Sequence, residues 1–244
     1  MATKTLSIII PVYNEEKFIG QTIERVLNAN CLDYKKEIII IDDGSTDRTR
    51  LKINQLIKSK KFFRKNQPKI IFIIKKKNEG KGAALKTGFL KSTGDVVLIQ
   101  DADLEYNPDD YPILLEPFKN GADVVYGSRF ISNRPHRVLY FWHSVANIFL
   151  TFLSNMFTNI NLTDMETGFK VFRGDLIRKI ARKLTSKRFG FEPEITARIA
   201  KIKNLKIYEV GISYRGRTYE EGKKIGWKDG IRAIYEIIRY NLFN

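Results

Sequence analysis

The chain has 244 residues, 43% of them hydrophobic, which is enough for one large core and within the range of a single α/β domain. Its formal net charge of +16 predicts an anionic partner: nucleic acid, an anionic membrane surface or a phosphorylated substrate. Lys and Arg are dispersed, with small knots at Lys75-Lys76-Lys77 and over 58–65, and no stripe or motif of a nucleic-acid binder stands out. A single cysteine, Cys31, excludes an intrachain disulfide. The apolar run before Asn14-Glu15-Glu16 is too short for a secretory signal, so a cytoplasmic location is expected.

In chain order, residues 6–12 form a buried strand, and Asn14-Glu15-Glu16 opens a helix through Leu27. Residues 37–41 are a continuous apolar run, the pattern of a parallel strand covered on both faces. That run ends in Asp42-Asp43-Gly44-Ser45-Thr46-Asp47, and a helical pattern follows to Ile57. A third strand over 69–74 and a third helix over 80–91 come next. A fourth strand over 95–100, a helix near 109–119 and a fifth strand over 122–126 complete the first half. Alternating strands and helices predict a doubly wound, mostly parallel sheet flanked by helices. Ligands bind such sheets at the carboxyl ends of strands, where Tyr13, Asp42-Asp43 and Asp101-Ala102-Asp103 fall.

Each polar cluster has an ordinary reading as a turn or helix cap. Capping does not require a carboxylate doublet after strand two and a second set after strand four, and the coincidence points to a shared ligand. In an extended chain Asp101, Asp103 and Glu105 would share one side. Oxygen-only donors of this kind suit Mg2+ or Mn2+, the alternative being an acidic loop leading to Pro108-Asp109-Asp110. Gly80-Lys81-Gly82-Ala83-Ala84-Leu85 approaches a dinucleotide fingerprint, but it follows the third strand and lacks the last glycine. Lys81 is read as a phosphate contact.

Residues 138–163 carry no formal charge, yet His143, Ser144, Asn147, Thr151, Ser154, Asn155 and Thr158 form a polar stripe at helical spacing. Three readings stand: packing within the protein, lying on a membrane, or spanning it. Arg134 and Arg137, just before, would suit anionic headgroups. His136 and His143 read as ordinary surface or packing histidines. Basic amphipathic helices are expected over 176–184 and 194–202, a strand over 206–210 and a last helix over 227–242. The polar, glycine-rich stretch 217–226 reads as a surface loop or as a lid over a site.

Ile10-Pro11-Val12-Tyr13-Asn14-Glu15, Ile41-Asp42-Asp43-Gly44-Ser45, Asp101-Ala102-Asp103 and Tyr126-Gly127-Ser128-Arg129 occur in a telling order. They continue through Thr167-Gly168-Phe169-Lys170-Val171-Phe172-Arg173 to Ile212-Ser213-Tyr214-Arg215-Gly216-Arg217. The set resembles the family 2 glycosyltransferases of GT-A fold, the nucleotide-diphospho-sugar transferase type. Within them it is similar to the dolichyl-phosphate mannose synthase-like group of polyprenyl-phosphate sugar transferases. The resemblance implies that Pro11, Tyr13, Glu15, Ile41 and Asp43 hold the base and ribose of the donor. It makes Asp101, Ala102 and Asp103 the DXD motif that binds the diphosphate through Mg2+ or Mn2+, with Glu105 a third metal ligand. Arg129, Arg217 and Lys223 match basic residues around the donor and acceptor phosphates, and Asp101, Asp103, Arg129 and Arg217 form the implied catalytic set.

The same resemblance implies a donor such as GDP-mannose or UDP-glucose, a polyprenyl or dolichyl phosphate acceptor and an inverting single displacement. It implies one domain over 1–244, with a nucleotide-sugar half at 1–130 and an acceptor half at 131–244. Asp164 and Glu166 would line the acceptor side or form a turn. Attachment would be peripheral, on the cytoplasmic face of an anionic membrane or through a membrane partner protein, with no nucleic acid involved. A lipid phosphate, ionised with a second pKa of roughly 6, needs little help from a base, whereas a hydroxyl acceptor would need a carboxylate such as Glu192 or Glu194. The alternatives are a hydroxyl-acceptor transferase with the same metal site, and a non-catalytic protein that binds phosphate at a membrane surface.

Overall fold

Alternating isoleucines decide the centre of the molecule, because successive side chains of a strand point to opposite faces. In the computed structural model, which describes residues 3–59, 68–131, 136–138, 140–218, 220–221 and 227–243, β1 (Thr5–Val12) and β2 (Lys35–Asp42) pair in parallel. Ile8, Ile10, Ile38 and Ile40 face one core with α1 (Ile19–Asn28), α2 (Thr49–Lys58) and α4 (Tyr111–Leu115). Ile9, Ile39 and Ile41 face the other, with α3 (Lys81–Lys91), α6 (Gly174–Ala181) and α7 (Phe191–Ala200). Each fully buried isoleucine contributes roughly 1.5–3 kcal/mol. Gly88 lets α3 sit close on Ile9 and Ile41, where any Cβ would collide.

The sheet has seven strands in the order β3-β2-β1-β4-β6-β5-β7, with β3 (Lys69–Ile74), β4 (Val96–Ile99), β5 (Val124–Ser128), β6 (Lys170–Arg173) and β7 (Ile207–Gly211). Pairing is parallel except at β6, which runs antiparallel to both β4 and β5. β6 was not expected as a strand: its four residues are too few for a period to show. Strands from both halves of the chain thus share one sheet. The helix expected near 109–119 is broken into α4 and flanking 3-10 turns, with Pro112 and Pro117 each at the start of a segment. α1 begins at Ile19 rather than at residue 14, because Asn14 adopts a left-handed conformation at φ 52°.

α5 (Phe141–Thr158) narrows the readings of the uncharged stretch. Among the described residues no helix is long and apolar enough to cross a membrane, so the spanning alternative falls. The polar stripe faces the protein: Thr151 and Ser154 are buried, Thr151 Oγ1 accepts from the Met165 amide, and Asn155 brackets Leu162. The apolar side faces outwards, with Trp142 74%, Phe141 68%, Phe152 63% and Met156 61% exposed. α8 (Trp227–Leu242) packs beside α5 and also leaves Ile231, Tyr235 and Leu242 exposed.

Candidate active site

The carboxyl ends of β1, β2 and β4 carry three loops that are fastened to each other. Asn14 donates its amide to Ser45 Oγ at 3.0 Å, and its side-chain oxygen accepts from the Thr46 amide at 2.8 Å. The acidic doublet divides its work. Asp42 pairs with Arg50 and caps its own turn through the Ser45 amide. Asp43 accepts from Lys75 at 2.7 Å and from the amides of Glu79 and Gly80 at 3.1 and 2.6 Å, fixing the loop that leads to α3. Gly44, at φ 79°, leaves no room for a Cβ against the backbone of Lys77 and Asn78.

After β4 the chain does not stay extended. Leu104 is left-handed at φ 64°, and residues 101–105 form a turn. The buried Gln100 closes it, donating to the carbonyls of Asp101 and Tyr106 at 3.0 and 3.2 Å while its oxygen accepts from Tyr111 at 2.8 Å. The expectation of three carboxylates converging from an extended strand is therefore corrected. Asp101 faces Lys81 at 3.0 Å, and Asp103 and Glu105 face Arg217 at 2.8 and 3.3 Å. Arg217 also reaches Glu15 at 3.4 Å, and its backbone amide donates to Glu105 at 3.0 Å. Among the described residues no three His, Cys, Asp or Glu side chains gather in the manner of a metal site.

The charges are nonetheless unbalanced. Burial, with Glu105 and Asp101 alongside, pushes the Asp103 carboxyl up to about 7 against the pull of Arg217. One guanidinium does not neutralise this turn. A set of hard oxygen donors with surplus negative charge fits Mg2+ or Mn2+ in its chemistry.

Arg129, at the end of β5, is gripped by the buried Asp164 through Nε at 2.6 Å and Nη2 at 2.7 Å. Its guanidinium lies 5.2 Å from the centre of the Tyr214 ring, and the Tyr214 hydroxyl donates to Glu105 at 2.8 Å. Tyr214 thus joins Arg129 to the acidic turn. Asn147 of α5 meets Arg129 at 3.5 Å. Gly168 lies against the Asp101 carboxylate, where a Cβ would collide, so the Thr167-Gly168 pair is adjacent to the turn. Behind it Glu166 is held well above the usual carboxylate range, first by burial and then by Glu192.

Glu15, Asp43, Asp101, Asp103, Glu105, Arg129 and Arg217 belong to this connected region, with Pro11 and Ala102 buried in its backbone and Tyr13 exposed at the end of β1 beside it. Ile41 does not present its side chain there: it is wholly buried beneath α3. Lys223 lies outside the described residues. Sequence reasoning missed the partners more than the principals. Asp164 as the anchor of Arg129, Tyr214 as the link, and Glu192, 3.2 Å from Lys81, are pairings across distant elements that no local spacing announces. Glu194 is committed to the amides of Thr185 and Ser186 and to Arg198, and has no role at the turn.

A parallel sheet interrupted by one antiparallel strand, with an acidic turn after β4, is the GT-A architecture. Glucosyl-3-phosphoglycerate synthase from Mycobacterium tuberculosis, solved with Mn2+, uridine diphosphate and phosphoglyceric acid, shares it at a TM-score of 0.70 and 18% identity, over 99% of this chain and 80% of that one. Residues 7–181 match the family described as glycosyl transferase family 2, and the chain belongs to that family. It is 29% identical to a UDP-N-acetylglucosamine–dolichyl-phosphate N-acetylglucosaminyltransferase of Methanococcus voltae, over 98% of this chain and 96% of the relative. It is 28% identical to a dolichol-phosphate mannosyltransferase of Pyrococcus furiosus, over 96% of this chain but 64% of the relative.

Proposed function

We propose that the chain moves a hexosyl unit, mannosyl or glucosyl, from a nucleoside diphosphate sugar to the phosphate of a polyprenyl or dolichyl lipid, by an inverting single displacement. The observation that carries this reading is the link from the under-neutralised turn through Tyr214 to Arg129, which meets Asn147 of α5, a helix whose apolar side faces outwards. Relatives of M. voltae and P. furiosus named for dolichyl or dolichol phosphate support the lipid acceptor. The Mn2+ and uridine diphosphate of the mycobacterial structure support a metal and a nucleotide donor. GDP-mannose is the other candidate donor.

Asp101 and Asp103, with Glu105 as a third oxygen donor, would hold Mg2+ or Mn2+, which when bound supplies a Lewis acid for the charge of the leaving diphosphate. The chain's own cations do the rest. Lys81 and Arg217 face the same charge from opposite sides of the turn, and fixed cations stabilise charge as it develops. Tyr13, Glu15 and Asp43 flank the place for base and ribose, to which Pro11 and Ile41 would offer backbone only, as Ala102 would to the diphosphate. Arg129, held in register by Asp164, orients the acceptor phosphate. That phosphate is already ionised near neutrality, its second pKa being roughly 6, so no general base is required. Lys223 is the remaining candidate for the phosphates.

The inside-out α5, with α8 beside it, supports peripheral docking on the cytoplasmic face of an anionic membrane, or on a membrane partner protein. Incubation with radiolabelled GDP-mannose and UDP-glucose, Mn2+ or Mg2+, and a short polyprenyl phosphate tests the reading. Chloroform-extractable, mild-acid-labile label is expected. Label moving only to hydroxyl acceptors, or a product that retains the donor's anomeric configuration, would contradict it.

A further inference from the structure

Glu192 is a buried carboxylate, 4% exposed, that pairs with Lys81 among the described residues and lies near enough to the buried Lys170 and Glu166 to act on both charges. Its Oε1 lies 3.2 Å from the ammonium, and its Oε2 is sealed inside with no hydrogen-bond partner among the described residues. Burying a carboxylate costs several kcal/mol in general unless nearby cations offset it, and the ammonium that pairs with this one belongs to Lys81, beside the acidic turn.

Both backbones are fixed before the side chains meet. Gly80, at φ 101°, is pinned by Asp43, and a Cβ there would collide with the Lys187 carbonyl. That carbonyl accepts from the Ala83 amide at 3.1 Å, tying the loop before α7 to the first turn of α3. Phe89 of α3 and Phe191 of α7 stack with centroids 6.0 Å apart. Lys81 is therefore delivered between Asp101 and Glu192 by contacts that neither residue makes.

We infer that Glu192 is a positioning residue: it holds Lys81 at the diphosphate end of the site when Asp101 is engaged elsewhere, so that the ammonium remains to contact the diphosphate. This rests on the proposed nucleotide-sugar reading. Asp101 alone could not do both jobs, because a carboxylate drawn to a divalent cation no longer restrains the lysine. Glu192 supplies the second tether from an element that has no ligand of its own.

Calorimetry with Mn2+ and UDP against uridine, or GDP against guanosine if that is the nucleotide bound, tests the assignment on Lys81→Ala, Glu192→Ala and Glu192→Gln. Lys81→Ala should lose roughly ten-fold in diphosphate affinity, the worth of one charge-assisted contact, and little for the nucleoside. Glu192→Ala should follow the same pattern more weakly. Glu192→Gln, which keeps an oxygen for the ammonium, should recover most of the loss. Unchanged diphosphate affinity in Glu192→Ala overturns the proposal, as does an equal loss for nucleoside and diphosphate. A collapse of kcat in Glu192→Gln with nucleotide affinity intact would make the carboxylate a proton acceptor instead. If the wild-type chain binds neither diphosphate, the nucleotide-sugar reading itself fails and takes this assignment with it.

Discussion

Arg217 answers Asp103, Glu105 and Glu15 with one guanidinium, and the surplus charge falls on Asp103. The sign of the consequence follows from linkage. A carboxyl raised from 3.8 to about 7 binds its proton more tightly in the folded state, so stability falls as pH rises through that interval. Asp103→Asn should therefore be more stable than wild type at pH 8, by about 1–2 kcal/mol, and nearly equal at pH 4, as scanning calorimetry would read. The same variant should lose metal-dependent turnover by a factor of ~100 or more. A variant that was neither stabilised nor impaired would mean that the turn is not the charged centre of the site. Arg129→Ala should raise KM for the lipid phosphate more than it changes nucleotide affinity; an unchanged acceptor dependence contradicts that role. Residue identity at this turn was legible because carboxylate sets at two strand ends are more than capping requires. Their geometry was not, because one left-handed residue, Leu104, turns the chain aside.

α5 shows what periodicity conveys and what it withholds. The polar stripe was readable, but a stripe does not say which way it faces. Here Asn147, Thr151 and Asn155 face inward, where they serve Arg129, Met165 and Leu162, and Trp142 and Phe152 face out. Replacing both aromatics with Glu should lower co-sedimentation with vesicles containing anionic lipid by roughly ten-fold while far-ultraviolet circular dichroism stays unchanged. Equal binding of the double variant would place membrane contact elsewhere. β6 is the complementary case: a strand too short to announce itself, fixed by β4 and β5 on either side.

At the scale of the whole molecule, the end of the sheet remote from the acidic turn is held by Glu37. It accepts from Ser7 Oγ at 2.5 Å, from Lys69 at 2.9 Å and from the amide and hydroxyl of Thr93 at 2.9 and 2.8 Å. Burial raises its pKa, but those hydrogen bonds outweigh burial and leave it below the usual value. Its contribution is thus present above pH 4.5 and lost as pH falls through the lowered pKa. Glu37→Ala should cost about 1–3 kcal/mol at pH 7, measured by urea unfolding, without changing KM for the donor. The strands of the first half were legible from apolar runs, since covered parallel strands need them. The knot at Glu37 was not, because it joins four separate segments.

In the proposed reaction a lipid phosphate oxygen takes the sugar. Phosphorus NMR of a short polyprenyl phosphate turning over with the donor and Mn2+ reads that bond directly. The monoester resonance should be replaced by a phosphodiester, one for each nucleoside diphosphate released, and should persist with Asp103→Asn. Nucleoside diphosphate released while the lipid monoester stays unchanged would contradict the account.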